Sequence, residues 1–125
     1  MRLNPDCVRD VLLAAETLAG YEKNWMVTES LPADLLPYTY EEVAYHIRQC
    51  VKAGLIEIDR EFIDGTFLID DLTPEGHRRL QLVRNPEVYE KSKAAWLSKV
   101  QDGLISGSIS GFFSVVSEIV KTALS

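Results

Sequence analysis

The residues that could do chemistry are few. The histidines are His46 and His77, and the cysteines are Cys7 and Cys50. Imidazole titrates near physiological pH, so two histidines brought together could move a proton. His46 and Cys50 stand four residues apart, which puts them on one helical face and would suit a thiolate–imidazole pair. Cys50, however, falls on the apolar face of its own helix, where a thiol packs as a small hydrophobe. A histidine flanking such a face is most simply a packed residue with a satisfied nitrogen. Asp70 and Asp71 stand at a strand end, but alternation sends strand neighbours to opposite faces and denies them a shared site. No CxxC, no Cys/His cluster and no carboxylate pair beside a histidine has metal-ligand spacing. Nor is there a phosphate-cradling glycine loop or a nucleophile elbow. The expectation is a protein that is not an enzyme and holds no metal or cofactor.

Binding chemistry is better represented. Glu41, Tyr45, Arg48, Gln49 and Lys52 share the helix face opposite Val43, Ile47 and Val51. In a helix-turn-helix this is the face that meets base edges, where Arg pairs with guanine, Gln with adenine and Lys with phosphate. Arg60 would join them from the hairpin that follows. The plainer reading is an ordinary solvated face, and charge argues for it. Glu41 and Glu42 occupy the first helical turn, and residues 38–84 hold nine acids against six bases. Arg60 itself stands among Glu57, Asp59, Glu61 and Asp64. The whole chain of 125 residues has 13 basic and 19 acidic side chains, a net charge of −6. That field excludes general coating of nucleic acid. It leaves a defined DNA site or a basic protein surface as the partner.

The elements that would position these residues start with clear signals. Asn4-Pro5-Asp6 opens a helix by an N-cap acceptor, a proline in the first turn and a favourable negative charge, and the helix should run to about Ala19. Trp25 to Thr28 suits a short strand, and a very short helix can fit between Ala33 and Leu36. Thr39 with Glu42 is a capping box whose helix closes near Gly54. Two β-rich runs, residues 55–59 and 66–70, flank the turn dipeptide Asp64-Gly65. Thr73-Pro74 and Asn85-Pro86 open two more helices. This order predicts an α+β winged helix-turn-helix over residues 1–84, with a C-terminal helical extension over residues 85–125.

The extension has its own character. Nothing between Asp102 and Glu118 is charged, and Ile105, Ile109, Phe112, Val116, Ile119 and Ala123 alternate spacings of four and three. Val120 flanks that seam, while Gly103, Gly107 and Gly111 recur on a neighbouring face. The seam can be covered by the chain's own domain, by a second copy or by a membrane surface. With only Lys121 on the last helix, the membrane is the weakest of these. One small domain has little open surface, so the expectation is a homo-oligomer built on the residues after Asp102. The first residues lack a signal-peptide core, and no uncharged run is long enough to span a bilayer, so a cytoplasmic location with reduced thiols is expected.

Several phrases also resemble one family. Leu3-Asn4-Pro5-Asp6-Cys7-Val8-Arg9-Asp10-Val11-Leu12, Tyr40-Glu41-Glu42-Val43-Ala44-Tyr45-His46-Ile47, Leu72-Thr73-Pro74-Glu75-Gly76-His77 and Asn85-Pro86-Glu87-Val88-Tyr89 are similar to the bacterial domain of unknown function 2513. The apolar Ser/Gly tail is similar too, so the resemblance spans nearly the whole chain. It implies a winged-helix-like fold, a bacterial, prophage or phage origin and a cytoplasmic location. It supplies no catalytic residue. Two functions stay open: a DNA-binding transcriptional regulator, and an acidic phage-encoded module that binds a host enzyme or defence component.

Overall fold

The helix starts act as their chemistry predicts. In the computed structural model, which describes residues 1–20, 23–64 and 66–124 (side chains as far as residue 122), Asn4 accepts from the Asp6 amide and opens α1 (Pro5–Leu18). Strand β1 (Trp25–Val27) and one turn of 3-10 helix at Ala33–Leu35 follow. The capping box is complete at α2 (Tyr40–Lys52). Thr39 Oγ1 accepts from the Glu42 amide at 3.1 Å, and the Glu42 carboxylate accepts from the Thr39 amide at 3.1 Å. Strands β2 (Ile56–Glu61) and β3 (Phe67–Leu72) lead to α3 (Pro74–Arg84), α4 (Pro86–Gln101) and α5 (Ile109–Leu124). Gly65 of the expected hairpin turn lies outside the described residues, as do the side chains of Ala123 and Leu124.

The sheet is antiparallel throughout, in the order β1-β3-β2. Trp25 pairs with Ile69 and Val27 with Phe67, while Ile56 pairs with Leu72 and the register of β2 slips on either side of Ile58. Alternation buries Trp25, Val27, Phe67 and Ile69 and leaves Met26 and Asp70 exposed. Helix α1 supplies Cys7, Val8, Val11 and Leu12 to the core and lies against α2, α3 and β3. Helices α4 and α5 pack on each other, and α5 also packs on α3. The described residues form an α+β protein of five α-helices and one three-stranded sheet.

Two glycines have structural duties. A Cβ on Gly76 would stand 2.0 Å from the Leu55 carbonyl oxygen, so the start of α3 can approach the α2–β2 turn only as glycine. Gly103 has φ +74° and stops α4 in a Schellman arrangement: its amide donates to Val100 and that of Leu104 to Lys99. The expected glycine row is thereby broken. Gly103 ends one helix, Gly107 lies in the link, and only Gly111 is in α5. Ile105 likewise precedes the last helix, so the expected seam is helical only from Ile109 onward.

Candidate functional site

The residues singled out on α2 divide between two environments. Glu41, Arg48 and Lys52 are exposed, whereas Tyr45 and Gln49 are half-buried. Arg48 is occupied within the chain: it donates to Glu61 of β2 at 2.6 Å, and its guanidinium lies 5.2 Å from the centre of the Phe67 ring. Arg60 lies over Phe62 at 5.9 Å and 3.9 Å from Asp59. Around them the residues numbered 29–71, from the end of β1 through β3, include ten acids and three bases. This segment is more negative than the protein as a whole.

His46 and the thiols belong to the core. His46 is 1% exposed; its Nδ1–H donates to the Glu42 carbonyl at 2.6 Å and its Nε2 accepts from the Asn4 amide at 2.9 Å. Burial pulls its pKa below the ordinary histidine value against the opposing effect of Glu42, so the ring is neutral. Cys7 and Cys50 are both fully buried and free. Burial, aided by the negative charges of Glu42, Asp10 and Asp6, pushes the Cys7 thiol up to about 12. Burial likewise raises Cys50. A thiolate nucleophile needs the opposite environment. His77 is exposed, on α3, 3.8 Å from Asp71. Asp71 otherwise accepts from the Leu72 amide, while Asp70 is exposed. Among the described residues no group of three or more His, Cys, Asp or Glu converges on a point that could hold a metal ion.

A polar cluster that the sequence did not flag joins α1 to α4. Asp6 accepts from the Tyr89 hydroxyl and from Lys93 Nζ at 3.1 Å, and Arg9 lies over the Tyr89 ring at 5.0 Å. Burial works to raise the Asp6 carboxyl, yet the hydrogen bonds from Tyr89 and Lys93 and the charges of Lys93 and Arg9 together hold it below its ordinary value. Asp10, one turn along, accepts from Tyr38 at 2.8 Å. Arg9 also donates to the Val83 and Arg84 carbonyls at the end of α3, where a cation is favoured. Asp6, Arg9, Asp10, Tyr38, Tyr89 and Glu90 surround a hollow of about 230 Å³. With each of its charges answered by a neighbour, the cluster has the character of a tie between helices.

A larger cavity, about 1040 Å³, lies between α2 and the link from α4 to α5. Tyr45 and Gln49 line it from α2, Leu3 and Arg2 from the first residues, and Trp96, Leu97, Val100 and Gln101 from α4. Ser106, Gly107 and Ser108 close the far side. Trp96 is 3% exposed, and among the described residues its indole nitrogen meets no acceptor. A buried donor left without a partner costs about 1–3 kcal/mol. Nothing local marked the α4 residues as wall-forming, although the seven-residue spacing of Tyr89 and Trp96 is the trace of a buried stripe.

The apolar residues of the tail from Ile109 to Val116 are covered by the same chain, whereas Leu104 is exposed. Ile109, Phe112, Phe113, Val115 and Val116 are buried, while Ile105, Ile119 and Val120 are half-buried. Phe112 meets Trp96 edge-on at 5.8 Å and Tyr89 at 6.3 Å, and Arg79 of α3 lies over Phe113 at 5.4 Å. A second copy is therefore not required to bury Phe112 and Val116. Among the described residues no helix is long and apolar enough to cross a membrane.

Fold and site together define an α+β protein whose helix–hairpin face is acidic and whose last two helices complete its core. The family model described as hypothetical protein (DUF2513) matches residues 2–106, and the chain belongs to that family. An uncharacterized protein of Haemophilus influenzae is similar, with 33% identity over 104 residues, 82% of this chain and 84% of that protein. No solved structure matches.

Proposed function

We propose that this is a winged-helix module without enzymatic activity that binds a basic protein surface through α2 and the β2–β3 hairpin. The element order and the β1-β3-β2 pairing favour the winged-helix description. What carries the choice of partner is Arg48. The side chain best suited to read guanine is tied to Glu61 and Phe67, in the segment of residues 29–71 where ten acids stand against three bases. Duplex DNA would meet that surface with like charge, whereas a basic protein groove is its electrostatic complement. In the phage or prophage setting that the family resemblance implies, a nucleic-acid-binding host enzyme or defence component offers such a groove.

Two arms test this. Selection from a random duplex library should enrich no operator. Affinity capture from nuclease-treated host lysate should retain one stoichiometric protein that the charge-reversed variant Glu41→Lys/Glu57→Lys/Asp59→Lys loses. An enriched sequence whose binding needs Lys52 and Arg60 would replace the proposal with a DNA-binding regulator.

A further inference from the structure

We infer that the outer edge of β2 takes a basic, extended peptide segment as a fourth strand of the sheet; this rests on the protein-binding role proposed above and specifies how the partner is held. Strand β2 ends the sheet, with β3 on one side. Among the described residues no strand pairs with its other side, and no backbone–backbone hydrogen bond joins Ile56–Glu61 to anything but β3. Such a row of backbone N–H and C=O groups is a template for another extended chain, which lies about 4.8 Å away and exchanges hydrogen bonds with it. The opposite end of the sheet offers less, because β1 has three residues against six in β2.

Charge decides which chain can use the edge. Glu57, Asp59, Arg60 and Glu61 are all exposed. Arg60 lies 3.9 Å from Asp59 and Arg48 is bonded to Glu61, while Glu57 has no base within 4 Å among the described residues. A second copy of β2 laid antiparallel would set acids against acids, and like charges facing each other across two strands oppose pairing. Lysine or arginine side chains on the added strand are attracted instead. The register of β2 against β3 slips on either side of Ile58. Bulges twist an edge and shorten any regular ladder built on it, so the added strand is short and charge supplies much of its binding.

The probe is the hexapeptide Ac-Lys-Val-Lys-Val-Lys-Val-NH2, titrated into the full-length chain and followed by heteronuclear NMR. Beside it stands the same peptide methylated at every backbone nitrogen, which keeps the charge and loses the donors. The first should bind at one saturable site, shift the amide resonances of residues 57–61 and slow their exchange with solvent. The methylated peptide should bind about tenfold more weakly, having lost two or three net hydrogen bonds. Glu57→Lys/Asp59→Lys should weaken the unmethylated peptide about fivefold, with circular dichroism confirming the fold. Should that variant not fold, the comparison of the two peptides still decides. Equal affinity of the two peptides, or shifts confined to residues outside β2, would overturn strand addition and leave the acidic contact face standing. Binding of neither peptide would overturn both. A free chain that sediments as a dimer with its β2 amides already protected would make a second copy the occupant, and the assignment would fall.

Discussion

His46 shows how a single residue links packing to solution behaviour. Unfolded, its imidazole takes a proton near the ordinary value of 6.5; folded, burial lowers that value, and the Nε2 lone pair is engaged by the Asn4 amide. The folded state thus binds fewer protons in this window. The stability from neutral His46 is present above pH 6.5 and is lost as pH falls through the lowered folded value. Urea titrations above and below that window should show wild type losing stability and His46→Gln losing markedly less; equal losses would refute the assignment. The Asp6 carboxyl acts in a separate, more acidic window, because its contribution is complete above 3.8 and disappears below it. The thiols lead to a second expectation. With Cys7 and Cys50 buried and their pKa values raised, Ellman's reagent should react with neither in the native protein and with both after unfolding in guanidinium. Rapid native labelling would show that the core around α1 and α2 opens readily.

At the scale of elements, the helix starts were legible because a cap is written in three or four consecutive residues. Asn4, Thr39, Thr73 and Asn85 all accept from amides in the turn they open. What could not be read was the reason for Gly76. It looked like one more residue of a family phrase, and its role exists only because α3 passes over the Leu55 carbonyl. Gly76→Ala should accordingly cost about 1–3 kcal/mol by overpacking against backbone. Gly20→Ala, with nothing among the described residues within 4 Å of its Cβ position, should change stability by less than about 0.5 kcal/mol. Paired urea denaturation curves check this, and similar midpoints for the two variants would contradict the close approach. The helical seam was misjudged for the complementary reason. A spacing of three and four describes a helix only where the chain is helical, and Gly103 interrupts it.

For the whole molecule the consequential finding is that α5 closes the core over α3 and α4. Phe112 is 1% exposed and sits against Tyr89 and Trp96. Truncating it to alanine should cost about 3–5 kcal/mol. If the cover is intramolecular, as this packing requires, the thermal midpoint of wild type will not depend on protein concentration. A midpoint that rises with concentration would restore a second copy as the partner of this helix. The tie at Asp6, Tyr89 and Lys93 has the same scale: it joins the first helix to the fourth across more than eighty residues of sequence.

The sequence by itself determined the local events: where the first four long helices start, that the helix–hairpin segment is acidic, and that His46 and Cys50 pack in the core. These follow from caps, periodicity and net charge, which need no distant partner. Only the tertiary structure decided what depends on chain segments meeting. It ties Arg48 to Glu61 and Phe67, turns Tyr45 and Gln49 toward the α4–α5 link, and leaves the Trp96 indole without an acceptor at the wall of a cavity. Those contacts join residues from 13 to about 60 positions apart, and no local pattern carries the free energy of a contact whose other half lies elsewhere in the chain.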